Sequence, residues 1–233
     1  MTDTAAHEHH QAHHHEHGHV HIDVADWLAW AADAALEGEV FLAFVTDTAA
    51  WVTELRGSDA PPVRRVIDIG SGPGVGRCEL ARLFPEAHVI AVDSSPAMLE
   101  RTTQRAVDHG LQTRISTHIA ELPGGLDGIG QADLIWASMS LHHVGDEVAS
   151  LRLLCELLDP HGLIAIAELA EPMRVLPDGL DLGRAGLVDR LDHAWATWFA
   201  GMREGLPDSV PSERSSDDAH ISGTRRGWLA PGQ

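Results

Sequence analysis

A glycine-rich turn between an apolar run and a helix-like pattern is the feature that most constrains how this chain can fold. The stretch RRVIDIGSGPGVGRCELARLF, residues 64–84, carries glycine at positions 70, 72, 74 and 76. Glycine lets a ligand approach the main chain closely, and the free N–H groups at a helix start favour anionic groups. The pattern therefore predicts a strand, a ligand-binding turn and a helix in succession.

The middle of the chain continues this alternation of apolar strands and amphipathic helices. We predict strands over 63–70, 88–93, 114–120, 132–138 and 162–169, and helices over 76–83, 95–110 and 146–159. Alternating strands and helices indicate a parallel sheet that is covered on both faces. The predicted fold class is therefore α/β, a Rossmann-like doubly wound, mainly parallel sheet with N-terminal helices.

The spacing of the glycines separates the ligands that such a turn can hold. The dinucleotide fingerprint G-x-G-x-x-G fails, because Val75 or Arg77 stands where the third glycine belongs, and a P-loop needs a lysine, which the sequence lacks. What remains is D-x-G-x-G-x-G, in which Asp68 precedes the turn and favours an ammonium group. Asp93 closes the next predicted strand, where a carboxylate can bind both hydroxyls of a ribose. The pattern predicts a nucleoside that carries an amino-acid tail.

Four segments resemble motifs of the class I S-adenosylmethionine-dependent methyltransferases. VIDIGSGPGVG is similar to their first motif, VIAVDSSPAML to their second, ADLIWASMSLHHV to the segment that faces the substrate, and LLDPHGLIAIAE to the approach to their fifth strand. The resemblance covers about residues 40–175 and is closest to the small-molecule methyltransferases. It implies S-adenosyl-L-methionine as cofactor and transfer of a methyl group to an oxygen, nitrogen or carbon nucleophile of a small molecule.

The resemblance also implies which residues bind the cofactor. Asp68 and the glycine turn would hold the methionine moiety, and Asp93 would bind the ribose. The end of the third predicted strand would contact the adenine. The cofactor-binding residues predicted in this way are Asp68, Gly70, Ser71, Gly72, Gly74, Asp93, Ser94, Met98, His118, Ile119 and Ala137. His118 stands where the family often has an acidic residue, so its contact requires an imidazole nitrogen as acceptor.

His142 is the candidate catalytic residue, as a general base or as a residue that shapes the pocket. A base is needed only where the nucleophile must lose a proton, since the methyl group of a sulfonium is already activated. We expect Trp136 and Trp195 to lie in the core, and we predict no metal site.

The flanks of the domain have a different character. Nine histidines precede residue 22, so we predict a disordered histidine-rich tail over 1–22. Residues 23–60 are predicted to form two helices, broken at Gly38, that cap the methyltransferase domain at 61–205, and residues 206–233 are predicted to be irregular. The family's C-terminal hairpin is not found after Trp198, so we expect the fifth strand to be an exposed edge that can mediate self-association.

Composition narrows the partners and the location. A formal net charge of −19 repels phosphate backbones and anionic lipids, so we expect a small-molecule substrate and neither nucleic acid nor membrane as partner. Cys78 and Cys155 fall within predicted helices and are expected to be buried. No apolar core of a signal peptide is found, so we expect the protein in the cytoplasm.

Two other functions stay open on the sequence. The histidine tail and the missing hairpin would suit a non-catalytic or inactive cofactor-binding protein, or a metal-binding protein, of methyltransferase ancestry. An NAD-dependent oxidoreductase would share the strand, turn and helix and would use Asp93 for the ribose.

Overall fold

A five-stranded sheet with helices around it forms the part of the chain that the computed structural model describes, residues 24–168, 186–206 and 208–209, with only the backbone described for 24–30. The elements in chain order are α1 (Val24–Val40), α2 (Leu42–Arg56), β1 (Arg65–Ile69), α3 (Val75–Leu83), β2 (His88–Asp93), α4 (Pro96–Asp108), β3 (Ile115–Ile119), β4 (Ala132–Ser138), a 3₁₀ helix (Leu141–His143), α5 (Glu147–Glu156), β5 (Leu158–Ala167) and α6 (Leu187–Glu204). The predicted tail at 1–22 lies outside these residues.

The strand order is β3-β2-β1-β4-β5, and all four neighbouring pairs are parallel. The predicted α/β, doubly wound fold class is therefore confirmed. The order reverses between β1 and β4, and ligands of such sheets bind beyond the carboxyl ends of the strands at that point. The turn after β1 and the segment after β4 meet there.

Both faces of the sheet are buried, and successive residues of β1 show how. Val66 packs in a cluster with Val45 of α2 and Cys78 of α3, whereas Ile67 packs in a second cluster with Leu154 of α5. Side chains of a strand point alternately to opposite faces, so each face has a helical cover. The N-terminal helix α2 thus shares the core of the sheet. A role of the two N-terminal helices as a lid stays a prediction.

The predicted helix break at Gly38 is wrong. Gly38 lies inside α1, which continues to Val40, and the chain turns at Phe41 before α2. A Cβ at Gly38 would lie 3.0 Å from Cβ of Val75, at the start of α3. The glycine therefore allows two helices to approach each other closely rather than ending one of them.

The predicted boundary between the last helix of the sheet and the fifth strand is also wrong. Helix α5 ends at Glu156, and β5 already begins at Leu158. Ala132 pairs with Leu158 and Leu134 with Leu163, so β5 contains an irregularity around Pro160. Proline, which lacks an N–H donor, is tolerated at such a bulge on an edge strand. The proline that was expected to stop the helix interrupts the strand instead.

Strand β5 is the last strand of the sheet within the described residues, and its outer side has no neighbouring strand there. The expected absence of a hairpin and the expected irregular tail fall on residues that lie mostly outside this part of the chain. Self-association through the edge therefore stays a prediction. None of the described helices is long and apolar enough to cross a membrane.

The two cysteines differ in environment. Cys78 is buried in the core, as predicted, but Cys155 is exposed near the end of α5, so the prediction of two buried thiols is half wrong. Cys155 lies in the last turn of a short helix, where the amphipathic pattern did not separate the two faces.

Candidate active site

A cleft of about 2150 Å³ lies where the carboxyl ends of the strands meet. It is lined by the glycine turn after β1, the end of β2, the segments that follow β3 and β4, and one side of α6, and it extends along the end of α5 and the start of β5 at Cys155 and Leu158. Residues of α1, including Glu37 and Gly38, also line it. The cleft therefore lies at the position that the topology predicts for a ligand.

The glycine turn combines a tight contact with an open surface. Gly70 and Gly72 have φ values of +64° and +51°, which L residues with a side chain rarely adopt. A Cβ at Gly70 would lie 2.2 Å from Cβ of Ser140, whereas a Cβ at Gly72 would meet nothing within 4 Å. The main chain thus packs against the segment after β4 at Gly70, and it is accessible to a ligand at Gly72. Gly74, with φ +101°, caps α3.

Asp93 fixes the turn against the second strand. Its Oδ2 accepts the N–H of Gly72 at 2.7 Å, and its Oδ1 accepts the N–H of Ser95 at 2.9 Å. The Ser71 N–H bonds the carbonyl of Val92 at 2.9 Å. Each carboxylate oxygen keeps acceptor capacity for a further hydrogen bond, so the partly buried Asp93 can still receive two ribose hydroxyls.

Two predicted residues, Ser94 before α4 and Met98 in its first turn, lie close to Asp93 in the chain, and only one of them lines the cleft. Ser94 is exposed and lines it. Met98 is 1% exposed, and the structure places it in the core and not in the cleft lining. Its apolar side chain follows the buried face of α4, which the resemblance alone did not reveal.

Asp68 lies at the cleft and forms an ion pair with Arg77, a residue that was not predicted to belong to the site. The Nε of Arg77 donates to Oδ2 of Asp68 at 2.9 Å, and both side chains are buried. Burial raises the pKa of Asp68, while the charge and the hydrogen bond of Arg77 act in the opposite direction. The signal was available in the spacing, because a residue two positions into α3 can fold back over the end of β1.

The end of β3 differs from the prediction. His118 does not line the cleft; its Nε2 lies 2.7 Å from the carbonyl oxygen of Gly125, and Ile119 is 60% exposed and also absent from the lining. Ala120, Glu121 and Leu122 line the cleft in their place. The register assumed for this segment was weakly determined, because β3 has few apolar residues to fix its phase, and the contacts with the adenine stay a prediction.

Ala137 lies deeper than predicted. It is 0% exposed and pairs with Ile69 and Ile166 on the two neighbouring strands, so its side chain belongs to the core. The cleft is lined instead by the residues that follow it, Ser138 to Ser140. Met139 has a φ of +53°, a strained value for a residue with a side chain, at the point where the chain passes Gly70.

His142 faces Glu168, a residue that follows β5 and was not predicted to belong to the site. The His142 Nδ1 lies 2.6 Å from Oε2 of Glu168, while Oε1 of Glu168 accepts the N–H groups of Ser140 at 3.0 Å and Leu141 at 2.8 Å. Both side chains line the cleft. The sequence carried a signal, since Glu168 lies within the fifth predicted strand, 162–169, close to its carboxyl end.

The electrostatics of this pair keep the carboxylate ionised. Burial would raise the pKa of Glu168, but the hydrogen bond and charge of His142 and the two backbone N–H groups together hold that pKa below its ordinary value. The neighbouring His143 has its pKa lowered, first by burial and then by the charge of His142. Glu168 is thus an anionic acceptor beside two imidazoles.

Arg203 of helix α6 binds the segment that carries His142. The Nη1 of Arg203 donates to the carbonyls of His142 at 2.9 Å and Val144 at 3.0 Å, and it pairs with Glu147 at 2.8 Å. Because these bonds end on the main chain around His142, they set how α6 lies over the cleft.

The side of α6 that faces His142 is aromatic. Trp195 stacks on Phe199 with ring centroids 4.9 Å apart, and Phe199 lies 5.5 Å from the His142 ring. Trp136 is buried as predicted, but Trp195 is 39% exposed at the cleft, so the prediction that it lies in the core is wrong.

The residues at the cleft fit a nucleoside with an amino-acid tail. The hydroxyl oxygens of Ser71 and Ser140 are buried at the cleft and have no hydrogen-bond partner among the described residues. A polar ligand would supply those partners. Across the described ranges, no three histidine, cysteine or acidic side chains come together in a way that could hold a metal ion. The histidine-rich residues 1–22 lie outside those ranges.

A family described as "Methyltransferase domain" matches residues 63–203, which is more than half of the chain. Trans-aconitate 2-methyltransferase of Methylobacterium radiotolerans is 36% identical over 112 residues, 47% of this chain and 40% of that protein. Malonyl-[acyl-carrier protein] O-methyltransferase of Halorhodospira halophila is 29% identical over 191 residues, 72% of this chain and 63% of that protein. The chain thus spans less than two thirds of the length of these curated relatives.

Among solved structures, mitomycin 7-O-methyltransferase is similar with a TM-score of 0.52 and 18% identity, over 79% of this chain and 52% of that one. At this identity the similarity bears on the fold alone, and it agrees with the strand order described above. The matched domain, the strand order, the glycine turn and the two acidic strand ends agree with one another. The chain belongs to the class I S-adenosylmethionine-dependent methyltransferase family.

Proposed function

We propose that this chain transfers a methyl group from S-adenosylmethionine to a nucleophile of a small molecule that loses a proton in the reaction, with His142 as the general base. The observation that carries the proposal is the hydrogen bond of 2.6 Å between His142 and Glu168 in a cleft that also contains the glycine turn. Membership of the family identifies S-adenosylmethionine as the cofactor. The class of acceptor and the identity of the base are the parts that are proposed here.

The Glu168 carboxylate sets the tautomer of His142. An ionised carboxylate only accepts hydrogen bonds, so the Nδ1 of His142 carries the hydrogen and the Nε2 of the neutral ring is left as an acceptor. Two backbone N–H groups hold Glu168 in turn, so the ring orientation is fixed from the main chain. An imidazole held in this way can remove a proton from a hydroxyl, an ammonium or an acidic carbon.

The cleft has two halves in this proposal. The cofactor half consists of the glycine turn with Asp68 and of Asp93 with Ser94, and there the turn would hold the amino-acid tail and Asp93 the ribose. Ala120 and Glu121 take the place next to the adenine that the sequence analysis gave to the two residues before them. When bound, S-adenosylmethionine supplies a methyl group on a sulfonium, so the protein mainly aligns the reactants and excludes water.

The acceptor half consists of His142, Glu168 and the side of α6 that carries Trp195 and Phe199. An aromatic wall beside a base suits an acceptor with a planar or apolar body next to its reactive group. The two relatives named above act, by their names, on trans-aconitate and on a malonyl group. Both of those acceptors carry carboxylates, which are ionised near neutral pH and need no base. The acceptor proposed for this chain is therefore a hydroxyl, an amine or an acidic carbon, and turnover of a carboxylate would leave His142 without a proton to remove.

The test is the release of S-adenosylhomocysteine in the presence of S-adenosylmethionine and pools of small phenols, alcohols, amines and carboxylic acids. We expect turnover with at least one pool. His142→Asn and Glu168→Gln are expected to lower kcat for that acceptor by about 100-fold or more, the usual contribution of a general base. The affinity of both variants for S-adenosylhomocysteine should stay within about twofold of the parent's.

His109→Asn is the matched control, because His109 is exposed at the end of α4 and lies outside the cleft. Its kcat should equal that of the parent. Turnover that survives His142→Asn would contradict the assignment of the base. Tight binding of S-adenosylhomocysteine without turnover in any pool would favour the alternative of an inactive cofactor-binding protein.

A further inference from the structure

Arg77 is a fully buried cation at the bottom of the cofactor half. It is 2% exposed and lies in the first turns of α3. Its Nε donates to Asp68 at 2.9 Å, and its Nη1 donates to the hydroxyl of Thr102 at 2.6 Å and to the carbonyl of Gly72 at 3.2 Å. One guanidinium thus connects the end of β1, the glycine turn and α4.

Thr102 completes the network from the other side. It is 0% exposed, and its hydroxyl donates to the carbonyl of Gly72 at 3.0 Å while it accepts from Arg77. A Cβ at Gly74 would lie 3.0 Å from the Cα of Thr102, so α4 packs directly on the turn. The carbonyl of Gly72 is therefore held by two side chains, and its N–H by Asp93.

We infer that Arg77 is a positioning residue for the cofactor: it holds the Asp68 side chain as an oriented carboxylate, with Oδ2 occupied, so that the remaining acceptor positions can receive an ammonium group. The inference rests on the proposed placement of the amino-acid tail at Asp68. It assigns Arg77 to selectivity for that tail, and not to binding of the nucleoside part.

The physical reason is the cost of burying a lone carboxylate. Without a partner, a carboxyl group in this position would take up a proton and become a weaker acceptor for an ammonium. The pKa of Asp68 is raised overall, because burial outweighs the charge and the hydrogen bond of Arg77, which lower it, and the charge of Asp93 on the neighbouring strand raises it as well. Loss of Arg77 would raise that pKa further. Arginine suits this task better than lysine, because its fixed fork reaches Asp68 and Gly72 at the same time.

The experiment compares two ligands by isothermal titration. S-adenosylhomocysteine carries the amino-acid tail, whereas 5′-methylthioadenosine keeps the adenine, the ribose and the thioether but lacks the tail. The parent is expected to bind the first at least tenfold more tightly than the second. Arg77→Met should lower the affinity for S-adenosylhomocysteine by about 10- to 100-fold, the usual size of a hydrogen bond to a charged group, and that for 5′-methylthioadenosine by less than about threefold.

A pH series separates the electrostatic role from a structural one. Titrations at several pH values between about pH 5.5 and about pH 7.5 keep the ligand ammonium protonated. In Arg77→Met, the preference for the tailed ligand should rise with pH over this range, because loss of Arg77 raises the pKa of Asp68 further and the carboxyl group ionises as the pH increases. The parent should keep its preference over this range. Arg82→Met is the matched control, because Arg82 lies on the same helix, pairs with Glu79 at 3.2 Å and does not line the cleft, so its preference should equal the parent's.

Each result decides the inference. Equal losses for both ligands in Arg77→Met, or no loss for either, would overturn it. If Arg77→Met does not fold, Arg77→Lys is compared instead, because lysine keeps the charge but lacks the fork that reaches Asp68 and Gly72 together. It should lower the affinity for S-adenosylhomocysteine and leave that for 5′-methylthioadenosine within about threefold; equal losses for both ligands would overturn the inference. A parent that binds neither ligand would instead overturn the proposed function, and a parent without preference would overturn the placement of the tail.

Discussion

The cofactor half and the acceptor half of the cleft are built in different ways. In the cofactor half, residues 68–102 form two strand ends and two helix starts whose polar groups are buried and bonded to one another, such as Arg77 to Asp68. The acceptor half brings together residues 140–144, Glu168 and α6, which are far apart in the chain, and its aromatic side chains, such as Trp195, are partly exposed.

The difference shows which part of the function each half can fix. A closed network of main-chain and buried side-chain bonds keeps one geometry, so the cofactor half is suited to a single ligand. An exposed aromatic face held to the domain by Arg203 makes fewer fixed contacts, so it can accept changes in acceptor shape. Substitutions in the two halves should therefore affect different measured quantities.

The largest effect is expected for Gly70→Ala in the cofactor half. The new Cβ would lie 2.2 Å from Cβ of Ser140, and the residue would have to keep a φ of +64°. We expect a loss of about 2–5 kcal/mol in the free energy of unfolding, from backbone strain and forced repacking. We also expect binding of S-adenosylhomocysteine to fall by about 100-fold. Urea unfolding and titration measure the two quantities.

Gly110→Ala is the control for this change, because Gly110 has a similar φ of +67° but an added Cβ would meet nothing within 4 Å. It should lose about 1–2 kcal/mol from strain alone and bind the cofactor like the parent. Equal behaviour of the two variants would show that the contact between the turn and the β4 segment does not matter.

A smaller and more selective effect is expected for Trp195→Ala in the acceptor half. Loss of the ring that stacks on Phe199 should raise KM for the acceptor by about tenfold, since aromatic side chains dominate such contacts, and should leave the cofactor affinity unchanged. Trp51→Ala is the matched control: Trp51 of α2 is exposed to a similar degree, 37%, but does not line the cleft. A change in cofactor affinity with no change in KM would contradict the division into halves.

The smallest effect concerns the stability of the acceptor half in acid. Burial and the charge of His142 lower the pKa of His143, so below its ordinary value of 6.5 the unfolded chain binds more protons than the folded one. Folding stability should therefore fall as the pH drops through 6.5 toward the lower pKa of the folded state. His143→Asn should reduce this slope, as urea unfolding at pH 7.5 and pH 5.5 measures; an unchanged slope would mean that other groups cause it.

The strands of the sheet were predicted well from the sequence where they are continuous apolar runs. The bounds of β2 and β4 agree with the prediction to the residue, because both are continuous buried runs that end in a polar residue. The prediction failed at Gly38 and at Pro160. Both residue types usually end a helix, but here Gly38 allows close helix packing and Pro160 lies in a strand irregularity. A close helix contact and an edge-strand bulge cannot be recognised from local propensity.

The candidate site was predictable in the same uneven way. Asp68, the glycines and Asp93 form a local motif, and the structure brings them together at one cleft. Arg77 and Glu168 were missed, because their roles depend on what faces them across the fold. His118 and Ile119 were placed in the cleft by register alone, and the lining is formed by Ala120 and Glu121 instead.

The most direct test of the two-halves account is titration of S-adenosylhomocysteine into three proteins: the parent, Asp93→Asn and His142→Asn. The account predicts micromolar binding to the parent, binding weakened by about tenfold or more in Asp93→Asn, which loses the charged acceptor for the ribose hydroxyls, and parent-like binding in His142→Asn. NAD should not bind to any of them. Parent-like affinity in Asp93→Asn together with a loss in His142→Asn would contradict the account, because the cofactor would then lie in the half assigned to the acceptor.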